Sequence, residues 1–384
     1  MLVAGIMSGT SLNGIDVAVV KLSGRGWKLK VEPVAFAASP YPKAVRSALL
    51  AVSNANCHTG EIARLNVLLA ELYADATNTL CTQHSLKLDL VGCHGQTIFH
   101  QGQAARYLGR KIAATLQIGD GCHLAERLGV PVISDFRQRD MAAGGHGAPL
   151  APYFDYLLFR HPQRGRIALN LGGIGNLTAI PPGALPADVI AFDTGPGNMV
   201  IDQLVARHTA RHTAGRLLYD RDALLGRQGH AHLELVDQFL KDRYYRRQPP
   251  KSAGREQYGA AFVERLMATG LPMLDLIATA TALTAATVAV QIDRFARPLM
   301  PIDDLIVGGG GARNPLLMAY LEGFLPGTVF TTTADYGFGA DAKEAIFFAV
   351  LAYERFYGRV NNLPAATGAR RPVSMGKLSM GKLS

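Results

Sequence analysis

The chain has 384 residues, 48% hydrophobic and 18% charged, with four cysteines and a formal net charge of +9. That length exceeds what one hydrophobic core usually organises, so two domains are expected, while the low charge excludes disorder and the cysteine count excludes a disulfide scaffold. The 41 glycines fall in short clusters without a period, which excludes collagen-like and low-complexity chains and points to loops where backbone closely approaches a partner.

The opening MLVAGIMSG lacks the basic segment of a signal peptide. Leu2–Met7 and Ile15–Val20 are β-rich runs on either side of the glycine loop Ser8–Gly14, and together they predict a hairpin. Helical spacing follows over Ala44–Asn54 and Glu61–Gln83, then a buried strand at Asp89–Cys93. Gln117–Leu128 reads as a helix closed by Gly129, with a strand at Pro131–Ser134 after it. Cys57, Cys93 and Cys122 each precede a histidine, but neighbouring side chains rarely converge on one ion, and the thiols read as reduced core residues. The glycine-rich stretch Ala142–Pro149 is the expected hinge.

A second hairpin of the same design is predicted at Arg166–Leu171, Gly172–Asn176 and Leu177–Ile180, about one domain length after the first, so a duplicated domain is expected. Next come a strand at Val189–Phe192, the loop Asp193–Asn198 and a helix from near Met199. The basic run Lys241–Arg247 with Lys251 and Arg255 interleaves arginines with tyrosines; a nucleic-acid clamp is one reading, and a solvated helix end entering the Pro249-Pro250 turn is the favoured one. Leu276–Ile292 is uncharged but short and rich in threonine, and reads as a buried helix rather than a membrane span. Leu305–Val307 runs into Gly308–Gly311, after which Asn314 as cap and Pro315 at the first position start a helix. The last helix, Lys343–Tyr357, is expected to return to the first domain. Strands alternating with helices argue an α/β fold.

Four glycine loops (8–14, 172–176, 194–198 and 308–311) thus sit at expected strand ends, where bare backbone amides can converge on a phosphate. None matches the P-loop or the dinucleotide fingerprint, yet the set of them favours a nucleotide site. Carboxylates flank them: Asp16, Asp202, and Asp193 between strand and loop, placed as a general base or metal ligand. Glu344 is a candidate magnesium ligand.

The segments Met7–Asp16, Cys93–Thr97, Asp135–Arg137 with Asp140, Gly145–Leu150, Asn170–Thr178, Phe192–Asn198, Pro249–Ser252 and Leu363–Ala369 run in order along essentially the whole chain, and in them the sequence resembles the anhydro-N-acetylmuramic acid kinases. The resemblance implies two ribonuclease-H-like domains around a central ATP and sugar cleft, in the superfamily of sugar kinases, actin and heat-shock chaperone ATPases. The implied boundaries are 1–140, joined by the C-terminal helix and tail from about 345 to 384, and 141–344.

The implied activity is ATP- and magnesium-dependent opening of 1,6-anhydro-N-acetylmuramic acid with phosphorylation of its 6-oxygen, as in cytoplasmic peptidoglycan recycling by a homodimer without nucleic-acid or membrane partners. Carried over, Asp193 is the base. The phosphates and metal fall to Gly9, Thr10, Ser11, Leu12, Asn13, Gly14, Ile15 and Asp16. Gly172, Gly173, Gly195 and Gly197 support them, Gly308, Gly309 and Gly310 lie against adenosine with Asn314 beside them, and Asn13 and Glu344 are the metal pair. His94, Gln96, Thr97, Arg137 and Asp140 line the sugar pocket, with Arg137 for the lactyl carboxylate. Asn13 stands where the family usually has Asp, one charge fewer near magnesium, and His146 where it usually has Gln. A kinase for another anhydrosugar such as levoglucosan, and a nucleotide-binding module that no longer turns over, are the competing readings.

Overall fold

In the computed structural model, which describes residues 1–9, 12, 14–210, 217–339 and 341–381, both expected hairpins form. The runs of Val, Ile and Ala that bury one or both faces give β1 (Leu2–Ser8) and β2 (Gly14–Ser23), antiparallel from Leu2 opposite Lys21 to Met7 opposite Asp16. β3 (Lys30–Pro40) extends this ribbon. Helices α1 (Lys43–Val52) and α2 (Thr59–Gln83) follow, and α2 packs Leu65, Leu69, Tyr73 and Leu80 into the core beneath the sheet.

The region after residue 93 departs from expectation. β4 (Leu90–Tyr107) runs far beyond Cys93 and pairs with β5 (Arg110–Ile118), so Gln117 and Ile118 belong to a strand. The helix α3 (Gly121–Leu128) begins only after Asp120, whose carboxylate caps the amides of Cys122 and His123. It ends, as expected, at Gly129 with φ 69°. β6 (Val132–Ser134), α4 (Arg137–Ala142) and α5 (Ala151–Phe159) complete this stretch.

The second hairpin is β7 (Arg166–Leu171) with β8 (Ile174–Ile180). β9 (Ile190–Pro196) continues through Asp193 and Gly195, which pair with Asn176 and Gly175 of β8 on either side of a bulge at Thr194, so the expected loop 194–198 shrinks to Gly197 before α6 (Asn198–Thr209). Then come α7 (Leu233–Leu240), α8 (Arg255–Tyr258), α9 (Ala260–Met267) and α10 (Met273–Gln291). α10 belongs to the segment Met273–Ala296, which has the length and apolarity to cross a membrane, but 78% of its most apolar window is buried. Its hydroxyls are spoken for: Thr281 donates to the Ile277 carbonyl at 2.8 Å and Thr287 to that of Thr284 at 2.8 Å. β10 (Asp304–Gly308) leads to α11 (Pro315–Phe324), capped by Asn314 with Pro315 first, and then β11 (Val329–Thr332). α12 (Lys343–Phe356), α13 (Pro364–Thr367) and β12 (Lys377–Ser379) finish the chain.

Two compact units result, Met1–Leu157 with Gly337–Ser384, and Leu158–Tyr336. The first holds the sheet β3-β2-β1-β4-β6-β12, with β5 on β4; the second holds β9-β8-β7-β10-β11. In each, three antiparallel strands are followed by two added parallel to the first strand of the ribbon. The duplication expected from the hairpins therefore extends to five strands of each sheet, to which the first unit adds β5 and β12.

The last long helix, α12, lies on β1 and β4 of the first unit, as expected. Only glycine allows this approach: a Cβ on Gly5 would sit 1.8 Å from the Ala345 carbonyl oxygen, and one on Gly92 2.2 Å from that of Phe348. The divisions between units fall at 157/158 and 336/337, not 140/141 and 344/345. The reason is that residues 142–149 are tied down within the first unit and are no hinge. Asp140 accepts from the Gly147 amide at 2.9 Å, His146 N–H donates to the Thr367 carbonyl at 2.8 Å, and Arg370 N–H donates to the Ala143 carbonyl at 3.0 Å.

Candidate active site

In the first unit, the start of β2, the start of α12 and the start of α4 bring ionisable groups together. Asp16 projects from β2 beside the glycine turn; burial first, then the charges of Glu344 and Asp341, push its carboxyl up to about 6. Burial raises Glu344 as well, opposed by Lys343 and Arg137. Two carboxylates that repel each other in a half-dry setting are a donor pair that a hard divalent cation relieves, and magnesium needs only one or two carboxylates beside phosphate oxygens and water. No group of three or more acidic, His or Cys side chains fit for a metal occurs among the described residues.

Arg137 is placed by two bonds: its Nε donates to His94 Nε2 at 3.1 Å and its Nη1 to the Gly147 carbonyl at 2.6 Å. His94 Nδ1 lies 2.8 Å from the Gly95 carbonyl, so the ring is neutral with its proton on Nδ1. Burial, helped by the Arg137 charge, holds its pKa well below the usual value. The rest of the guanidinium fork remains suited to a carboxylate. Gln96, fully buried, accepts from Ser8 Oγ at 2.5 Å, and Thr97 Oγ1 accepts from Gln117 Nε2 at 3.1 Å. His100, which shares a hydrogen bond with Thr115 at 3.0 Å, is lowered to about 4 by burial, Arg137 and His146.

Several expected ligand contacts have other work. Asp140 is fully buried, and its oxygens are taken by Gly147, Asn362 and Thr367, so it acts as an anchor for the Arg137 loop. Leu12 and Ile15 are core residues with 3% exposure, and only their backbone can face a ligand. Gly14 pairs with Pro40 in the ladder. Thr10, Ser11 and Asn13 lie outside the described residues.

In the second unit the hairpin turn Gly172–Gly173 abuts the start of α6. Its carbonyls cap α6, accepting from Gly197 at 3.0 Å, Asn198 at 2.8 Å and Met199 at 3.2 Å. The amides at the start of that helix are therefore consumed, and Gly195 sits in the ladder opposite Gly175. Asn314 is committed to capping, its Oδ1 accepting from Leu316 and Leu317. Gly308 ends β10, Gly309 takes φ 80°, and Gly310 begins a 3-10 turn against Asn198.

Asp193 is gripped on its backbone and side chain. The Asp193 amide donates to the Lys251 carbonyl at 3.1 Å, Tyr244 Oη donates to the Asp193 carbonyl at 2.6 Å, and the Ala253 amide donates to Asp193 Oδ2 at 2.8 Å. Burial pushes its carboxyl up to about 6, against the Ala253 hydrogen bond and with the help of Glu256. A carboxylate with one oxygen fixed and a pKa near neutral is equipped to take a proton from water. Asp202 on α6 is raised further, to about 7, by burial and Asp220.

Lys251, Tyr244 and Ala253 were legible only as a turn after a basic run. Tyr244 and Tyr245 are 2% and 1% exposed and pack edge-on against each other, so neither is a stacking platform for nucleic acid. Lysine is so rarely buried that composition gives no warning of Lys251. The thiols also differ from expectation: all four are free, but only Cys93 is core, while Cys57 and Cys122 are exposed.

Two sheets of one topology, with a gripped carboxylate of near-neutral proton affinity in one unit and a carboxylate pair beside an Arg–His couple in the other, define an α/β enzyme built for acid–base work on a polar substrate. The family model described as anhydro-N-acetylmuramic acid kinase matches residues 1–381, and the chain belongs to that family. The anhydro-N-acetylmuramic acid kinase of Caldanaerobacter subterraneus subsp. tengcongensis is 44% identical over 387 residues, covering 99% of this chain and 97% of that relative. The protein of that name from Salinibacter ruber is 45% identical, covering 98% and 96%. One from Bacillus cereus is 39% identical, covering 99% of each.

Proposed function

We propose that the chain is an ATP-dependent kinase that opens the 1,6-anhydro ring of 1,6-anhydro-N-acetylmuramic acid with water and phosphorylates the freed 6-oxygen. The products are N-acetylmuramic acid 6-phosphate and ADP, in the recycling of cell-wall sugar in the cytoplasm. The observation that carries this reading is Asp193, a buried carboxylate raised to about 6 and aimed by the Ala253 amide, in a chain whose relatives bear this name over nearly their full length. Asp193 takes a proton from a water whose oxygen attacks the anomeric carbon; the bond from that carbon to the 6-oxygen breaks. The 6-oxygen then bonds to the γ-phosphorus as the bridge to ADP breaks. Arg137, held by His94 and Gly147, takes the lactyl carboxylate, and Gln96 and Thr97 take sugar polar groups.

Each unit is proposed to be a ribonuclease-H-like domain, supported by the shared order of three antiparallel and two parallel strands. A homodimer is part of the same reading. Magnesium fits the Asp16 and Glu344 pair; when bound it would neutralise charge on the ATP phosphates. Glu344→Gln is expected to need more magnesium for half-maximal rate while leaving the KM for sugar unchanged, which a magnesium titration checks; superimposed titrations would remove Glu344 from the metal site. For the substrate, ADP release should appear with 1,6-anhydro-N-acetylmuramic acid and be far weaker with levoglucosan or plain N-acetylmuramic acid. Equal rates with levoglucosan would make this a kinase of general anhydrosugars, and no sugar-dependent ADP at all would make it a binding module.

A further inference from the structure

The least expected side chain in the second unit is Lys251. It is 5% exposed, yet its ammonium makes no ion pair among the described residues. Instead Nζ donates to the Tyr244 carbonyl at 3.2 Å and to Gln291 Oε1, inside a box of three rings: Phe295 at 4.5 Å, Tyr244 at 4.9 Å and Phe192 at 5.4 Å. Removing an ammonium from water is costly, and ring faces with two acceptors offset this only in part. An aliphatic side chain would fill such a box without that cost.

What the charge holds is the segment that grips Asp193. The Lys251 carbonyl receives the Asp193 amide, the Tyr244 ring that receives the cation also donates its hydroxyl to the Asp193 carbonyl, and two residues on, Ala253 fixes the carboxylate. Gln291 in turn donates from Nε2 to the Tyr245 carbonyl at 3.0 Å, so the ammonium ties α10, the 244–245 turn and the 251–253 segment to one point.

We propose that Lys251 is a positioning residue for Asp193: its caged ammonium locks the 251–253 segment and Tyr244 in the arrangement that aims the carboxylate. This rests on the reading of Asp193 as the base. A positioning role lowers the rate of the chemical step without weakening substrate binding, since small misplacements of a reacting group cost rate steeply.

The test uses the full chain and four proteins: wild type, Asp193→Asn, Lys251→Met, and Lys251→Met with Gln291→Leu. The double variant leaves no buried orphan, because the Tyr245 carbonyl keeps Arg294 as donor and the Tyr244 carbonyl keeps the Arg247 amide. Lys251→Met is expected to lower kcat about 10- to 100-fold, with KM for ATP and for sugar unchanged. The double variant should regain the melting temperature of wild type and keep the low kcat. Wild-type kcat in Lys251→Met, or kcat recovering together with melting temperature in the double variant, would overturn the proposal and leave Lys251 a packing residue. An active Asp193→Asn would instead remove the base reading on which the proposal stands.

Discussion

Asp193→Asn is expected to lower kcat by about 10²–10⁴ while ATP binding stays near wild type. The amide keeps an oxygen for the Ala253 N–H, now 2.8 Å from Oδ2, so the grip on the strand survives and only the proton-accepting capacity goes. Stability moves the other way. Burial raises the carboxyl from the ordinary 3.8 to about 6, so the folded state holds its proton more tightly than the unfolded chain does. That contribution is complete below pH 3.8, is lost as pH rises to 6, and leaves the wild type bearing the cost of a buried charge at neutral pH. The neutral amide escapes it. The variant should therefore melt no lower than wild type at pH 7, an advantage that fades in acid. In the wild type, kcat/KM should fall as pH drops through about 6, where the base becomes protonated. An active Asn variant, or an acid limb near the ordinary carboxylate range, would contradict the assignment.

The largest loss of stability is expected from Asp140→Ala, by about 3–5 kcal/mol. Its carboxylate receives the Gly147 amide at 2.9 Å, Asn362 Nδ2 at 2.8 Å and Thr367 Oγ1 at 2.7 Å, with no exposure to solvent. Alanine strands all three donors in the interior and removes one of the two carboxylates, the other being Glu344, whose charge favours the Arg137 cation. It also frees the loop whose Gly147 carbonyl holds the Arg137 guanidinium, so sugar KM should rise along with the loss of stability. Denaturant unfolding checks the first effect and substrate titration the second. A variant within about 1 kcal/mol of wild type would mean that the loop is held without the carboxylate.

Both hairpins were legible because alternating or continuous Val, Ile and Leu around a glycine turn has few other stable solutions. The Asn314-Pro315 start was legible because capping is local chemistry. The β4–β5 arm was not: its outer half, with Gln101, Gln103, Arg106, Arg110 and Lys111, is polar on both faces and carries no period. Thr194 and Gly195 look like a loop by composition and become strand because β8 pairs with Asp193 and Gly195 on either side of the bulge at Thr194. The glycine stretch at 142–149 looks like a hinge until residues 362–370, far along the chain, supply the bonds that fix it. At the site, single side chains with a familiar chemistry (Asp193, Arg137, Glu344) were legible from the motifs that carry them. Their supporting partners were hidden, since a buried lysine and a tyrosine hydroxyl gripping a distant strand leave no mark in local sequence.

The most direct test of the account is the stoichiometry of one reaction: ADP formed against ring opened, with the purified chain, ATP, magnesium and 1,6-anhydro-N-acetylmuramic acid. The account predicts one ADP for each N-acetylmuramic acid 6-phosphate, with no free N-acetylmuramic acid and no ring-closed phosphosugar. Ring opening without ADP, or a phosphosugar with its anhydro ring intact, would contradict it, because either would separate the attack of water from the phosphorylation that Asp193 is proposed to join.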